Sequence, residues 1–185
     1  MTLFTTNYAD VQEGGSYSPL PTGEYEMIIA KVSEKATPNG KESMQFDLIV
    51  RNDLKAVKGL ENTNAQYADR HVFHDEWKRN MKDGSYRYEQ NNFMYYLKAA
   101  GIPEGTAINS LEQLFQLLTN KPVRVYVKKE TNTYKGEEQE QNKVAPWGFK
   151  ASEYQQVNHQ FKEKQEQAQP QAQNIQPAEE IDYGF

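Results

Sequence analysis

The sequence predicts a mainly β fold with an α-helical insertion. Runs of alternating apolar and polar residues, which favour strands, occur before residue 80 and again after residue 121. Between them the apolar residues change to a helical period. The length of 185 residues is enough for one domain with a core, and the hydrophobic fraction of 37% indicates that part of the chain lies outside that core.

The first three predicted strands precede the helical insertion. An extended run opens at Gly23 and reaches a turn at Pro38-Asn39-Gly40, where the Asn-Gly pair tolerates the positive φ of a tight hairpin. The alternating run from Met44 to Val50 is the second strand of this hairpin. The third strand is predicted from Arg70 to Trp77, followed by a turn at Asp83-Gly84.

Two helices and two further strands are predicted after this turn. The helical period starts at Tyr86 and stops at Gly101, and a second helix runs from Ser110 to Thr119, with Asn109 and Glu112 as its capping pair. The fourth strand begins at Pro122. The fifth covers residues 143–150, where Pro146 restricts it to a sheet edge or a bulge.

This element order is that of an OB-like five-stranded barrel with helices between strands three and four. A generic α+β domain with the same elements is the alternative. The Gln-rich segment buries too little apolar area to offset the entropy lost on ordering, so it is predicted to be disordered. The chain then divides into four parts. These are a flexible N-terminal arm (residues 1–21), an OB-like domain (22–151), a Gln-rich disordered linker (152–178) and an acidic C-terminal tip (179–185).

Charge and composition narrow the function classes. The net charge is −5, but residues 151–185 hold six acids against two lysines, which leaves the preceding domain nearly neutral and able to present a basic face. The absence of cysteine fits a reducing cytoplasm. No segment approaches the roughly 20 apolar residues that span a bilayer, and the N-terminus has no signal-peptide pattern, so a cytoplasmic protein without membrane contact is expected.

One face of the fourth strand combines cations with an aromatic ring. Arg124, Tyr126 and Lys128 alternate with valines and therefore point to the same side. Single-strand binding needs cations for phosphates and flat rings for stacked bases, so this stripe predicts a DNA-binding surface. The other predicted DNA-binding residues are Trp147 and Phe149 of strand five, Lys31 and Lys35 of strand one, and Arg51 of strand two. The alternative is an ordinary solvated strand face.

The C-terminal tip combines acids with apolar side chains. An acidic and apolar peptide with a free carboxylate suits a small basic, hydrophobic pocket on a partner protein. A tail that only improves solubility is the alternative, but such a tail does not need Ile181, Tyr183 and Phe185. The predicted partner-binding residues are Glu179, Glu180, Ile181, Asp182, Tyr183 and Phe185.

Catalytic patterns are scarce. His71 and His74 face opposite sides of a strand, so neither a metal site nor another cofactor site is predicted. Asp69 with Glu76 and Lys78 faintly matches the carboxylates and lysine of metal-dependent nucleases. No nucleophile triad is present, and we expect a protein that is not an enzyme.

Four strings carry a resemblance to a known family. They are Pro21-Thr22-Gly23-Glu24-Tyr25-Glu26-Met27-Ile28-Ile29, Leu48-Ile49-Val50-Arg51-Asn52-Asp53, Ala99-Ala100-Gly101-Ile102-Pro103-Glu104-Gly105 and Asn120-Lys121-Pro122-Val123-Arg124-Val125. Together they resemble the phage "domain of unknown function" family number 669, whose members lie in replication and recombination gene clusters and are often labelled single-stranded-DNA-binding. The tip is similar to the acidic tails of bacterial single-stranded-DNA-binding proteins, with Gly184 where proline is usual.

The resemblance implies a single-stranded-DNA-binding protein of phage replication or recombination, located in the cytoplasm of the bacterial host. Its partners would be single-stranded DNA, bound without sequence preference, and phage or host replication and recombination proteins recruited by the tip. A replisome adaptor that contacts proteins and not DNA is the alternative from another class. A metal-dependent nuclease is a third.

Overall fold

The computed structural model describes residues 18–162, which form a mainly β fold with two α-helices. In chain order the strands are β1 (Gly23–Ala36), β2 (Glu42–Val50), β3 (His71–Trp77), β4 (Arg79–Asn80), β5 (Tyr86–Arg87), β6 (Pro122–Tyr134) and β7 (Glu137–Ala151). The helices are α1 (Gln90–Ala99) and α2 (Leu111–Leu118), and a π-helical turn covers Glu61–Ala65. No helix in residues 18–162 is both long enough and apolar enough to cross a membrane.

Five strands form one antiparallel sheet in the order β3-β2-β1-β6-β7, and β4 pairs with β5 in a separate small hairpin. The prediction of a mainly β fold with an α insertion is therefore confirmed. The predicted fourth and fifth strands are β6 and β7, but β7 begins at Glu137, six residues before the predicted start. The β4-β5 hairpin contains the predicted Asp83-Gly84 turn. The first helix begins at Gln90 and not at the predicted Tyr86, because Tyr86 belongs to β5.

The turn between β1 and β2 lies where the sequence predicts it, although only Gly40 of the Asn-Gly pair has a positive φ. Gly40 has a φ of 76°, and Thr37 N donates to Lys41 O at 2.8 Å. Glycine adopts this positive φ without steric cost. The turn fixes the register in which residues 42–50 pair with residues 27–36.

The sheet is strongly curled around its core. Its two edge strands would stand about 19 Å apart if the sheet were flat, from four spacings of ~4.8 Å. Instead, the rings of His74 on β3 and Phe149 on β7 have centroids only 5.5 Å apart. Phe46 of β2 lies 4.6 Å from Tyr96 of α1, which also contacts Phe149 at 4.8 Å. No strand pairing joins β3 to β7 in the described residues, so side chains and not a closed ladder hold these edges together.

The period-two prediction for β6 is confirmed. Val123, Val125 and Val127 are completely buried, while Tyr126 and Lys128 on the opposite face are exposed. Alternation along a strand sends successive side chains to opposite faces, so the valines fill the core and the polar stripe faces outward.

Residues 152–162 follow β7 and lie across the ends of β1 and β2. Ser152 Oγ donates to Glu26 Oε2 at 2.5 Å, and Arg51 donates to the carbonyl oxygens of Tyr154 and Gln156, both at 2.6 Å. The segment predicted as a linker thus begins with residues that are hydrogen bonded to the sheet. Its remainder, the whole tip and most of the predicted N-terminal arm lie outside the described residues.

Candidate nucleic-acid interface

A cleft of about 600 Å³ separates the two edge strands of the curled sheet. Three aromatic side chains line it: Trp77 from β3, Tyr126 from β6 and Trp147 from β7. They are 39%, 44% and 69% exposed. Exposed flat rings on both sides of one cleft provide surfaces on which bases can stack.

A bulge in β7 presents Trp147. Phe149 pairs with Val125 and Val144 pairs with Val127, so four residues of β7 lie opposite the single residue Tyr126. Gly148 permits this arrangement, because a Cβ there would lie 3.1 Å from Ala145 O and 3.2 Å from Tyr126 O. The bulge contains Pro146 and lies on an edge strand, as the sequence predicts.

Three cations reach the same cleft: Arg79, Lys128 and Lys143. The carboxylate of Glu130 lies between the two lysines, 3.7 Å from Lys128 Nζ and 3.5 Å from Lys143 Nζ. Exposed pairs of this kind contribute little to stability, about 0–1 kcal/mol, so a phosphate can compete for either lysine. With Glu130, the lining contains four carboxylates (Asp75, Glu76, Glu89 and Glu130) against three cations, so the rings are the more distinctive feature of the cleft.

A buried polar network forms the floor of the cleft. Tyr96 Oη donates to Glu76 Oε2 at 2.7 Å and lies 2.8 Å from His74 Nε2, while Asn92 Nδ2 donates to Glu76 Oε1 at 2.9 Å. Burial lowers the pKa of His74 to about 4, so its imidazole is neutral at neutral pH. Burial and the neighbouring Glu76 carboxylate raise the pKa of Tyr96. Satisfied buried networks of this kind are rigid, and this one joins β3 to α1.

The structure brings together three of the predicted DNA-binding residues, Tyr126, Lys128 and Trp147. Arg124 lies on the same face of β6 but is already paired, with its Nη1 donating to Glu153 and its Nε 3.8 Å from Glu24 Oε2. It flanks the cleft as a neutralised cation.

The two predicted lysines of β1, Lys31 and Lys35, are exposed, but neither of them lines the cleft. Lys31 lies seven residues beyond Glu24, the partner of Tyr126 in β1, which places it about 23 Å away along the strand. Lys35, however, shares a row with Trp77, because both pair with Ser43 of β2. Lys35 is therefore about 10 Å from Trp77 across two strand spacings.

Two predicted DNA-binding residues lie in the interior, and the structure corrects their assignment. Phe149 is 4% exposed and packs on Phe46 and Tyr96 in the core. Arg51 is completely buried, and its guanidinium forms an ion pair with Asp53 at 2.6 Å. Burial removes both side chains from any surface that a ligand could reach.

Sequence reasoning missed Trp77, Arg79 and Lys143 as lining residues. Trp77 could have been found from the sequence, because it shares one face of β3 with Phe73 and Asp75, opposite the face of Val72. Lys143 and Arg79 had no local signal, since only the curl of the sheet places them beside Tyr126.

The residues of the nuclease-like pattern are not brought together. Asp69 accepts from Asn52 Nδ2 at 2.7 Å near the start of β3, whereas Glu76 binds Asn92 and Tyr96 near its end. Lys78 pairs with Glu42 at 2.6 Å. Within residues 18–162 no group of three or more metal-ligating side chains is positioned to hold a metal ion.

A family model described as "Protein of unknown function (DUF669)" matches residues 4–170, which is most of the chain. A search of the curated proteins found no match.

Proposed function

The chain belongs to the DUF669 family, and we propose that it is a single-stranded-DNA-binding protein of phage replication or recombination. The observation that carries this proposal is the cleft between β3 and β7, where three exposed rings and three cations line one surface. Bases stack on the rings and phosphates contact Lys128, Lys143 and Arg79. This mode of binding is independent of sequence, because every base has a flat face.

The sheet order supports an OB-like barrel as the scaffold of this site. Strands one to three form a meander, the last two form a hairpin beside strand one, and the helices come between the third and fourth long strands. OB-folds are partly open five-stranded barrels that bind oligonucleotides. The gap between β3 and β7 is the open part of this barrel, and the cleft occupies it.

The two tryptophans of the chain provide a direct assay, since both line the cleft. Titration of oligo-dT at low salt is expected to quench their fluorescence. Tyr126→Ala should weaken binding by about 5- to 150-fold, the effect of 1–3 kcal/mol for one stacked base. Lys128→Ala should lower the salt slope by about 0.7, as expected for one lost phosphate contact on a single strand.

Tyr134→Ala is the matched control. Tyr134 is also an exposed tyrosine of β6, 59% accessible, but it lies at the hairpin tip outside the cleft lining. Its replacement should leave affinity unchanged. If the native protein fails to bind oligo-dT at low salt, the proposal is wrong.

An adaptor that binds proteins is the second candidate. It is favoured by an apolar groove of about 970 Å³ between α1 and α2, lined by Phe93, Leu97, Ile102, Leu111 and others. Met94, on the rim of this groove, is 57% exposed. An adaptor without DNA affinity would show no fluorescence response to oligo-dT in either the native protein or the Tyr126 variant.

A further inference from the structure

The outward face of β3 carries a row of exposed rings that extends away from the cleft. Phe73 is 54% exposed and Trp77 39%, and the side chain of His71 is 47% exposed. These residues alternate with Val72, His74 and Glu76, which are buried. Clustered exposed apolar side chains on a stable strand indicate a contact surface, because a solvated strand face has no need of them.

The spacing of these rings fits an extended single strand. Residues two apart on one face of a strand are separated by about 6.6–6.8 Å, twice the ~3.4 Å per nucleotide of a duplex strand. The rings of His71 and Phe73 are nearly parallel, with an interplanar angle of 25° and centroids 6.2 Å apart. Two successive bases can therefore meet two successive rings only when the strand is stretched and its bases are unstacked.

The groups around this row are mainly acidic, and Asp75 itself lies between Phe73 and Trp77 on the same face of β3. Asp47 lies 2.7 Å from His71 Nδ1, and Asp75 accepts from Ser43 Oγ at 3.1 Å and Gln45 Nε2 at 3.2 Å. Lys31 is the register partner of Asp47 on its other side. The row accordingly offers flat rings for stacking and no lysine or arginine of its own strand for a phosphate, whereas Arg79, Lys128 and Lys143 lie at the cleft.

We propose that β3 forms a second subsite of the DNA-binding surface, in which a strand leaving the cleft past Trp77 stacks successive bases on Phe73 and His71. The proposal rests on the proposed function of the cleft. Trp77 belongs to both subsites, since it lines the cleft and shares the face of Phe73. The cleft holds the strand through both phosphates and bases, and the β3 subsite adds stacking alone.

The two subsites are separated by comparing oligonucleotides of about 4 and about 16 nucleotides, the range of OB-fold site sizes. Phe73→Ala should weaken binding of the long oligonucleotide by about 5- to 150-fold. It should leave the short one, which fills the cleft alone, unchanged. The salt slope should also stay unchanged, because no phosphate contact is lost.

Two further variants distinguish stacking from bulk. Phe73→Tyr keeps the ring and should retain the native affinity for the long oligonucleotide, whereas Phe73→Leu keeps an apolar side chain without a ring and should lose it. Because Phe73 is exposed, all three variants should fold, and thermal unfolding checks this. If Phe73→Leu binds as tightly as the native protein, the stacking subsite is wrong.

The remaining outcomes show which of the two proposals, the DNA-binding function or the β3 subsite, is wrong. Native protein that binds neither oligonucleotide overturns the proposed function itself. Native protein that binds both, with Phe73→Ala weakening neither or both equally, overturns the β3 subsite and leaves the cleft standing. If Phe73→Ala keeps DNA affinity but abolishes self-association in sedimentation, the row is a protein contact between copies and the subsite is likewise wrong.

Discussion

His74 connects protonation to the stability of the cleft. The residue is 6% exposed, its Nε2 lies 2.8 Å from Tyr96 Oη, and its ring centroid is 5.5 Å from that of Phe149. It thus connects β3 with α1 and with β7, and within residues 18–162 no strand pairing joins the two edge strands β3 and β7. Protonation would place a positive charge where water does not reach, which is why burial lowers its pKa from 6.5 to about 4.

This pKa shift predicts acid sensitivity. A histidine whose folded pKa lies below its unfolded pKa contributes full stability above pH 6.5 and loses it as the pH falls toward 4. We expect the free energy of unfolding to be about 2 kcal/mol lower at pH 5 than at pH 7.5 on account of His74. Urea unfolding at the two pH values measures this difference.

Two variants test the assignment to His74. His74→Phe should remove most of the pH-dependent loss, whatever its stability at pH 7.5. His71→Phe, at an exposed position on the same strand, should retain it. Burial also lowers the pKa of His159, which adds a smaller loss of the same sign. A His74→Phe protein that keeps the full difference between the two pH values would contradict the prediction.

Arg51 illustrates what residue-level sequence reasoning cannot reach. Alternation along β2 places it at the end of the strand, where a cation is normally solvated. Instead its Nη2 donates to Asp53 and to the carbonyl of Gln156, and its Nη1 donates to the carbonyl of Tyr154. These partners are about a hundred residues away, except Asp53. No local sequence pattern predicts these contacts, so in the sequence a structural arginine cannot be distinguished from a DNA-binding one.

At the element scale, the β7 bulge determines whether Trp147 faces the cleft. Gly148→Ala would place a Cβ at 3.1–3.2 Å from two backbone oxygens that cannot move independently of the sheet. Overpacking of this kind typically costs about 1–3 kcal/mol. We expect Gly148→Ala to lower the unfolding free energy by that amount and to weaken oligo-dT binding, as read by urea unfolding and by fluorescence.

Gly23→Ala is the control for this prediction. Gly23 is also a strand glycine of the same sheet, but a Cβ there would meet only a Tyr25 ring atom, at an ordinary 3.7 Å. Stability and affinity should therefore change little. Equal effects from the two substitutions would mean that loss of glycine as such, and not the close approach over Tyr126, is responsible.

Elements with a local cause were predicted well. The β1-β2 turn depends on Gly40, and the two faces of β6 depend on the alternation of valines with polar residues. Helix boundaries were predicted less accurately where two neighbouring residues can both cap the helix. The N-terminus of α2 is capped by Ser110, whose Oγ accepts from Gln113 N at 3.1 Å, and not by the predicted Asn109. The cleft depends on the curl of the sheet, which no segment encodes alone, so only part of its lining was predicted.

At the scale of the whole molecule, the unequal distribution of charge relates the tip to the cleft. The described chain ends beside Asp69, which lies 3.4 Å from Lys162 Nζ. Trp77, at the cleft, is eight residues from Asp69, or about 26 Å along β3. The 23 residues from Glu163 to Phe185 can span at most about 80 Å. The chain length therefore allows the acidic tip to reach the lysines of the cleft.

Deletion of residues 179–185 is expected to tighten DNA binding, because the three acids Glu179, Glu180 and Asp182 would otherwise compete with phosphates for Lys128 and Lys143. An exposed ion pair contributes up to about 1 kcal/mol, so the gain should be roughly fivefold at low salt and should fade as salt screens it. Fluorescence titration with oligo-dT measures it. Replacing Glu179, Glu180 and Asp182 by their amides should reproduce the gain, whereas Ile181→Ser should not. Unchanged or weaker affinity after the deletion would mean that the tip does not compete with DNA, which leaves it free for a partner protein.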